Sequence, residues 1–327
     1  MSKRIAVITG IAGQDGSYLA ELLLGKGYEV HGLIRPEAME SPDLAVPRLS
    51  SIRDEITLHG TSLEDFSAVF RLLNRLQPRE LYHLAAKSFV SYRFDEGYST
   101  LHGNLATVHC LLSAISQACP QCRFYFAGSS EMFGEVKTSP QDESTTFQPR
   151  SIYGISKVAG FHLADNFRRS ENLFAATGIC YNHESPRRGD AFVTQKIARG
   201  VARIALGKTN YVELGNLDAR RDWGHARDYV VAMWKMLQLE SPEDFVIASG
   251  TTHTVSDFVT RAFAQVGLSA EKYIRVNPLY FREAEKVPLC GNPEKARKVL
   301  NWSSQTSLDS IVEEMVSGAL QAEQLRS

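Results

Sequence analysis

The chain has no excess of either charge: 36 basic residues stand against 37 acidic ones, a formal net charge of −1. Such a balance provides no global attraction for nucleic acid or an anionic membrane, so neither is expected as a partner and any anion must be recognised locally. The sequence also lacks an uninterrupted apolar run long enough to span a bilayer. Its start, MSKRIAVITGIAGQDG, superficially matches a secretory leader, but the apolar run stops at Gly-Gln-Asp-Gly and reads better as a first strand. A cytoplasmic location is therefore expected. Cysteine is scarce and scattered. Cys110, Cys119, Cys122, Cys180 and Cys290 are odd in number, which argues against a disulfide framework. Cys119-Pro-Gln-Cys122 is a single CxxC with no second pair and no His-x-x-x-His, so no metal site is expected and the motif reads as a helix-to-strand connection. Internal repeats and low-complexity segments are lacking too.

What is present is the material for a sizeable core: 327 residues, 43% of them hydrophobic, enough for one large domain or two. Ile5 to Thr9 (IAVIT) is a continuously apolar, β-branched run, the pattern of a central parallel strand buried on both faces. Gly10-Ile-Ala-Gly13-Gln14-Asp15-Gly16 follows at once, and then SYLAELLLGKG with helical apolar spacing. Strand, glycine turn and helix together point to a dinucleotide site, because glycines admit the pyrophosphate and the helix N-terminus offers free N–H groups. Gly10, Gly13, Gln14, Asp15 and Gly16 are the candidate cofactor residues of this turn. A second strand, Tyr28 to Ile34, ends at Arg35, where an NAD-preferring site offers an acid. Arg35 suits the 2′-phosphate of NADP, although Glu37 would oppose a phosphate if it pointed inward, and NAD stays open. Pro36 to Pro47 has no periodicity and reads as a mobile loop.

Further strands are expected near Glu55–Leu58, Glu80–Leu84 and Arg123–Ala127. Helices are expected over Leu63–Leu76, after a cap-like Thr61-Ser62, and over Leu101–Ile115. Small residues Ala85-Ala86 just past one strand suit close approach of a cofactor. The alternation predicts an α/β fold with a doubly wound parallel sheet, binding its ligands at the C-terminal strand ends. FYFAGSSEMFGE delivers Ser129 and Glu131 to such an end, and RSIYGISK places Tyr153 and Lys157 four apart on one helix face. An ammonium beside a phenol is expected to lower the phenol pKa from about 10 toward neutrality. Beyond residue 175 the pattern breaks. Ala175–Tyr181 is a strand, the polar Asn182–Gly189 has no period, and Phe192–Leu206 is a helix. Tyr211–Gly215, Asp228–Leu239, Asp244–Ala248, Thr254–Val266 and a last helix from Leu308 follow.

The segments NHESPRRG, FVTQKIARGVARIALG, LGNLDARRDWGHARDYVVAMW and EDFVIASG, in this order, resemble the GDP-mannose 4,6-dehydratase family of the extended short-chain dehydrogenase/reductase superfamily. The resemblance runs from Gly10 to the Asn301-Trp302 region. It implies a Rossmann domain of residues 1–175 plus about 224–250, and a smaller α/β C-terminal substrate domain of about 176–223 plus 251–327. It implies conversion of a GDP-sugar, GDP-mannose first, to its 4-keto-6-deoxy derivative through bound NADP. Tyr153 would take the C4 hydroxyl proton, Lys157 would lower the phenol pKa and hold the nicotinamide ribose, and Ser129 would bind the C4 oxygen. Glu131 would remove the acidified C5 proton, a task that reductases and epimerases of the superfamily do not need. Asn182, Lys196, Arg221, Arg282 and Glu285 match positions that hold the GDP moiety; Lys196 and Arg221 are the cations for a diphosphate. A homodimer or homotetramer is implied as well. Ser129 stands where the family usually has Thr, Thr61 where it has an acid and Lys87 where it has an uncharged polar residue; Arg35-Pro36-Glu37 replaces two arginines and a serine. These departures leave a modified GDP-sugar such as a GDP-heptose open. The alternatives are a sugar-nucleotide 4-ketoreductase or epimerase, and a cofactor-binding scaffold without catalysis.

Overall fold

The computed structural model describes residues 4–40, 47–88, 94–280 and 287–325. The strands, in chain order, are β1 (Ile5–Thr9), β2 (Glu29–Ile34), β3 (Ile56–Gly60), β4 (Glu80–His83), β5 (Arg123–Ser129), β6 (Ala175–Cys180), β7 (Asn182–Glu184), β8 (Val212–Leu214), β9 (Arg220–His225), β10 (Phe245–Ile247), β11 (Thr252–Thr254) and β12 (Ile274–Val276). The helices are α1 (Gln14–Gly25), α2 (Phe66–Leu76), α3 (Phe94–Ala118), α4 (Ile152–Ser170), α5 (Val193–Ala205), α6 (Ala226–Met236), α7 (Val255–Ala264), α8 (Glu294–Leu300) and α9 (Leu308–Gln324).

Seven parallel strands form one sheet in the order β10-β6-β5-β4-β1-β2-β3. The order reverses between β1 and β4, which opens a crevice at their C-terminal ends. Successive side chains of a strand point to opposite faces, and each face here has its own core. Ala6 and Ile8 of β1 pack with Leu19 and Leu23 of α1 and with Met233 of α6. Val7 packs on the other face with Leu72 of α2, Leu111 of α3 and Ala164 of α4. This doubly wound architecture is the expected one. At the switch point the strand ends are tied together: Thr9 Oγ1 lies 2.8 Å from His83 Nδ1 and accepts from Ala85 N at 3.2 Å.

A third core gathers Ile197 and Val201 of α5, Trp223 of β9, Phe258 of α7 and Ile311 and Met315 of α9. Beside it stand a three-stranded sheet, β11-β9-β7, and a two-stranded one, β12-β8. The polar segment from Asn182 therefore contains a strand, paired in parallel with Trp223–His225. Asp222, fully buried, accepts from Ser249 N and Oγ, Gly250 N and Gly291 N at 2.6–3.1 Å, which fastens β9 to the end of the large sheet. Where the aperiodic loop after Arg35 was expected, Pro36–Met39 forms a 3-10 turn, and Pro47 opens another that runs to Glu55.

Candidate active site

The crevice is a cavity of about 1050 Å³ walled by the ends of β1, β2, β4, β5 and β6 and by the first turns of α1 and α4. Gly10, at φ +72°, opens the turn after β1, and a side chain there would meet Ala85 N at 2.8 Å. Gly16 has no room either, since a Cβ would sit 2.3 Å from the Gly10 carbonyl oxygen. Glycines thus let the turn close on itself and on β4. Gly13 occupies the N-cap of α1, and no side chain caps the helix. The first-turn N–H groups, which have no partner within a helix, are left at the cavity wall with Gly13, Gln14 and Asp15. An anion such as a pyrophosphate fits these donors.

The same turn is laced to β7 and the loop after it. Gln14 Nε2 donates to the His183 carbonyl at 3.0 Å, and Ser185 Oγ donates to Gln14 Oε1 at 2.8 Å. His183 Nε2 lies 2.9 Å from Asp15 Oδ2 and its Nδ1 lies 2.7 Å from the Tyr181 carbonyl. With an acceptor at each nitrogen, the ring is held as imidazolium. Burial works against the Asp15 carboxylate, yet the His183 charge and hydrogen bond outweigh it and bring the pKa to about 2. Burial likewise opposes the His183 charge, and Asp15 more than offsets it, so the imidazole is shifted up. Arg35 and Glu37 both line the cavity where β2 ends, as do Thr61 and Lys87 at neighbouring strand ends.

Ser129 is the last residue of β5, and its hydroxyl accepts from Glu131 N at 3.3 Å, turning the chain so that Ser129 and Glu131 share the cavity wall. Ser151 caps α4 by accepting from Gly154 N at 3.0 Å, and the helix then carries Tyr153 and Lys157 into the same cavity. Gly154 is a site residue that the sequence reading missed: a Cβ there would stand 2.5 Å from the Glu131 carbonyl oxygen. Without a side chain at 154, the tyrosine helix can lie against the turn that holds the carboxylate. The signal was a glycine in the first turn of an otherwise regular helix.

One expectation is corrected. Lys157 Nζ donates to the Ala127 carbonyl at 2.7 Å and lies 5.7 Å from the centre of the Tyr153 ring. The phenol is not lowered toward neutrality; burial pushes it up, against the pull of its hydrogen bond with Ser129 and of Arg188, while the Glu131 charge adds to the rise. Burial also brings the Lys157 ammonium down to about 8. The folded protein holds that proton less tightly than the unfolded chain does. Stability therefore rises with pH across the window from about 8 to 10.5, where the unfolded lysine titrates. Urea denaturation from pH 7 to 11 is expected to show wild type gaining on Lys157→Met across this window, by at most about 3 kcal/mol; a constant difference would refute the assigned burial.

Asn182, at the start of β7, lines the cavity. Lys196 and Arg221 lie outside the cavity lining. Lys196 Nζ stands 3.7 Å over the Tyr280 ring, and Arg221 Nη1 donates to the Arg220 carbonyl at 2.6 Å. Arg282 and Glu285 lie outside the described residues. Arg48, Arg187 and Arg188 also line the cavity and were not singled out as site residues. Arg48 Nε donates to the Arg187 carbonyl at 2.9 Å, joining the segment after residue 47 to the loop after β7.

A glycine turn at the switch point of a doubly wound sheet, with a Tyr-x-x-x-Lys helix and a serine strand end facing it, defines an extended short-chain dehydrogenase/reductase. The profile of the GDP-mannose 4,6 dehydratase family matches residues 7–315. The chain is 42% identical to GDP-mannose 4,6 dehydratase 2 of Caenorhabditis elegans, over 96% of this chain and 88% of that protein. It is also 42% identical to the human GDP-mannose 4,6 dehydratase, over 96% and 91%. Among solved structures it superposes on RMD from Pseudomonas aeruginosa complexed with NADPH, TM-score 0.83, 21% identity, covering 98% of this chain and 100% of that one. It superposes equally, at TM-score 0.83 and 17% identity over 98% of both chains, on dTDP-glucose 4,6-dehydratase from Bacillus anthracis in complex with NAD. The chain belongs to the GDP-mannose 4,6 dehydratase family.

Proposed function

We propose that the protein is a GDP-sugar 4,6-dehydratase that uses bound NADP, with GDP-mannose as its first candidate substrate. The observation that carries this reading is a carboxylate, Glu131, in one cavity wall with Ser129, Tyr153 and Lys157. The uncapped α1 turn suits a dinucleotide pyrophosphate, and Arg35 at the end of β2 suits the 2′-phosphate that distinguishes NADP from NAD. A bound nicotinamide supplies reversible hydride storage.

The chain's own residues handle the protons. Tyr153 takes the proton of the C4 hydroxyl as C4 is oxidised, and Ser129 hydrogen-bonds the same oxygen. Lys157, tied to the Ala127 carbonyl, fixes the first turns of α4 against β5 and keeps a cation at the nicotinamide ribose. The resulting 4-ketone acidifies the C5 proton, which Glu131 removes and passes to the C6 hydroxyl as it departs as water; C6 would then take back the stored hydride and C5 a proton from solvent. Asn182, with Lys196, Arg221, Arg282 and Glu285, serves the GDP moiety. On this reading residues 1–175 and about 224–250 hold the dinucleotide, and about 176–223 with 251–327 hold the sugar nucleotide.

A ketoreductase or epimerase needs no carboxylate for C5, so Glu131 favours dehydration over both. The test is incubation of the purified protein and NADP with a panel of GDP-hexoses and GDP-heptoses, in H2O and in D2O, read by mass spectrometry. Loss of water and entry of deuterium at C5 are the expected results, and the productive sugar identifies the substrate. Absence of a dehydrated product from every GDP-sugar would overturn the reading.

A further inference from the structure

Arg48 stands where the 3-10 turn opened by Pro47 meets the glycine turn. Leu49, beside it, is fully buried in the core that packs α1 on the sheet, so an apolar anchor fixes the backbone that carries Arg48. The side chain reaches two main-chain acceptors. Arg48 Nη1 donates to the Ala12 carbonyl at 3.3 Å, inside the glycine turn, and Nε donates to the Arg187 carbonyl at 2.9 Å. Arg187 is held in turn by α1: its Nη1 donates to Ser17 Oγ at 3.0 Å and its Nη2 to Glu21 Oε1 at 2.6 Å. Its guanidinium carbon also lies 4.0 Å from the centre of the Tyr18 ring. Both carbonyls that orient Arg48 therefore belong to segments tied to the same helix.

The other charges around this turn are paired. His183 has Asp15 at 2.9 Å, Arg187 has Glu21, Arg188 has Glu184 at 3.1 Å, and Asp190 of the same loop is bound by Arg199. Among the described residues Arg48 meets carbonyls and no carboxylate. A carbonyl orients a guanidinium but leaves its positive charge whole. An arginine has five N–H donors; two are spent on the carbonyls, and the side chain lines the cavity together with Ala12, Gly13 and Gln14. A planar donor set whose charge is not neutralised suits a phosphate, which it can grip through two oxygens.

We propose that Arg48 is a cofactor-binding residue: from the glycine turn, its guanidinium holds a phosphate of the bound dinucleotide. The inference rests on the reading of the crevice as a dinucleotide site. NADP offers this chemistry twice, in the pyrophosphate at the α1 turn and in the 2′-phosphate, for which Arg35 is the other cation. NAD carries the pyrophosphate alone, so the two are separable.

The test is direct titration of NADP and of NAD, with no sugar nucleotide present, into wild type, Arg48→Gln and Arg48→Lys at low and high salt. Arg48→Gln is expected to weaken binding about 10- to 100-fold, the worth of a hydrogen bond to a charged group. Arg48→Lys, which keeps the charge but not the fork, loses less. The loss in Arg48→Gln shrinks as salt screens the charge. Equal loss for NADP and NAD assigns the pyrophosphate, and loss for NADP alone assigns the 2′-phosphate. Unchanged binding in Arg48→Gln overturns the proposal and leaves the crevice standing as the dinucleotide site. A loss that is the same in Arg48→Gln and Arg48→Lys and indifferent to salt is that of a mere clamp between loops, and overturns it too. Wild type that binds neither dinucleotide overturns the cofactor reading and this proposal together. A second measurement needs no variant. Modification of Arg48 by phenylglyoxal, followed by peptide mass spectrometry, is expected to be suppressed by saturating NADP. An unchanged rate overturns the proposal even if the variants do not fold.

Discussion

Glu131→Gln is expected to abolish water loss while hydride exchange at C4 continues. The carboxylate shares the cavity wall with Ser129 and Tyr153, but in the proposed function its task is separate from theirs. Ser129 and Tyr153 are hydrogen-bonded to each other, and the proposed function commits both to one oxygen, at C4. The C5 proton needs a second base, and a positioned base contributes about 10²- to 10⁴-fold to the step it serves. The amide keeps the size of the side chain and the backbone of the Ser129 turn, where the hydroxyl accepts from the residue's own N–H. Dehydration should therefore fall by at least about 10²-fold with little change in melting temperature. Deuterium placed at C4 should still pass reversibly to and from the cofactor pool. Retained water loss would refute the role of Glu131. Removal of its charge carries a second, opposite signature: Glu131 is one of the groups that push the phenol up, so C4 exchange should survive to lower pH in the amide variant.

Tyr153→Phe is expected to stop both halves of the reaction. In the proposed function the phenol is the acceptor for the C4 proton, and without oxidation at C4 the C5 hydrogen stays unactivated. A drop of about 10²- to 10⁴-fold should then appear equally in C4 exchange and in dehydration. Glu131→Gln splits those two readouts and Tyr153→Phe does not. The cost to stability is small, since loss of one hydroxyl and its bond to Ser129 is worth about 1 kcal/mol, so the activity loss is not an unfolding effect. Dehydration that persists in Tyr153→Phe would move the C4 proton to another group.

Much of the fold was legible because a central parallel strand is apolar on both faces. IAVIT, the FYFA run and the segment from Ala175 needed no partner to be recognised, and the glycine turn after the first of them followed from backbone sterics. Boundaries were less legible. The helix expected from Leu63 starts at Phe66, because the cap is Asp65, accepting from Ala68 N at 3.0 Å, and not Thr61-Ser62. The helix expected over Leu101–Ile115 extends over Phe94–Ala118. Strands β7 and β9 carry little apolar periodicity, being Asn-His-Glu and Arg-Arg-Asp-Trp-Gly-His; β7 is a strand because Trp223–His225 of β9 pairs with it, while β11 pairs with the first half of β9. A local pattern cannot announce a ladder whose two halves lie some forty residues apart.

The sequence by itself determined the strand–turn–helix frame, the α4 spacing of Tyr153 and Lys157, and the family, because these depend on local sterics and residue order. Tertiary structure decided the electrostatics. Spacing put an ammonium beside a phenol, but Lys157 has turned to a main-chain carbonyl thirty residues away, and burial dominates the charge of both groups. The cation that pulls the phenol down comes instead from Arg188, beyond β7, and the counter-ion of Asp15 comes from His183, 168 residues along the chain. Charge interactions act through space and depend on what water is excluded, so packing alone determines which charges meet in the cavity.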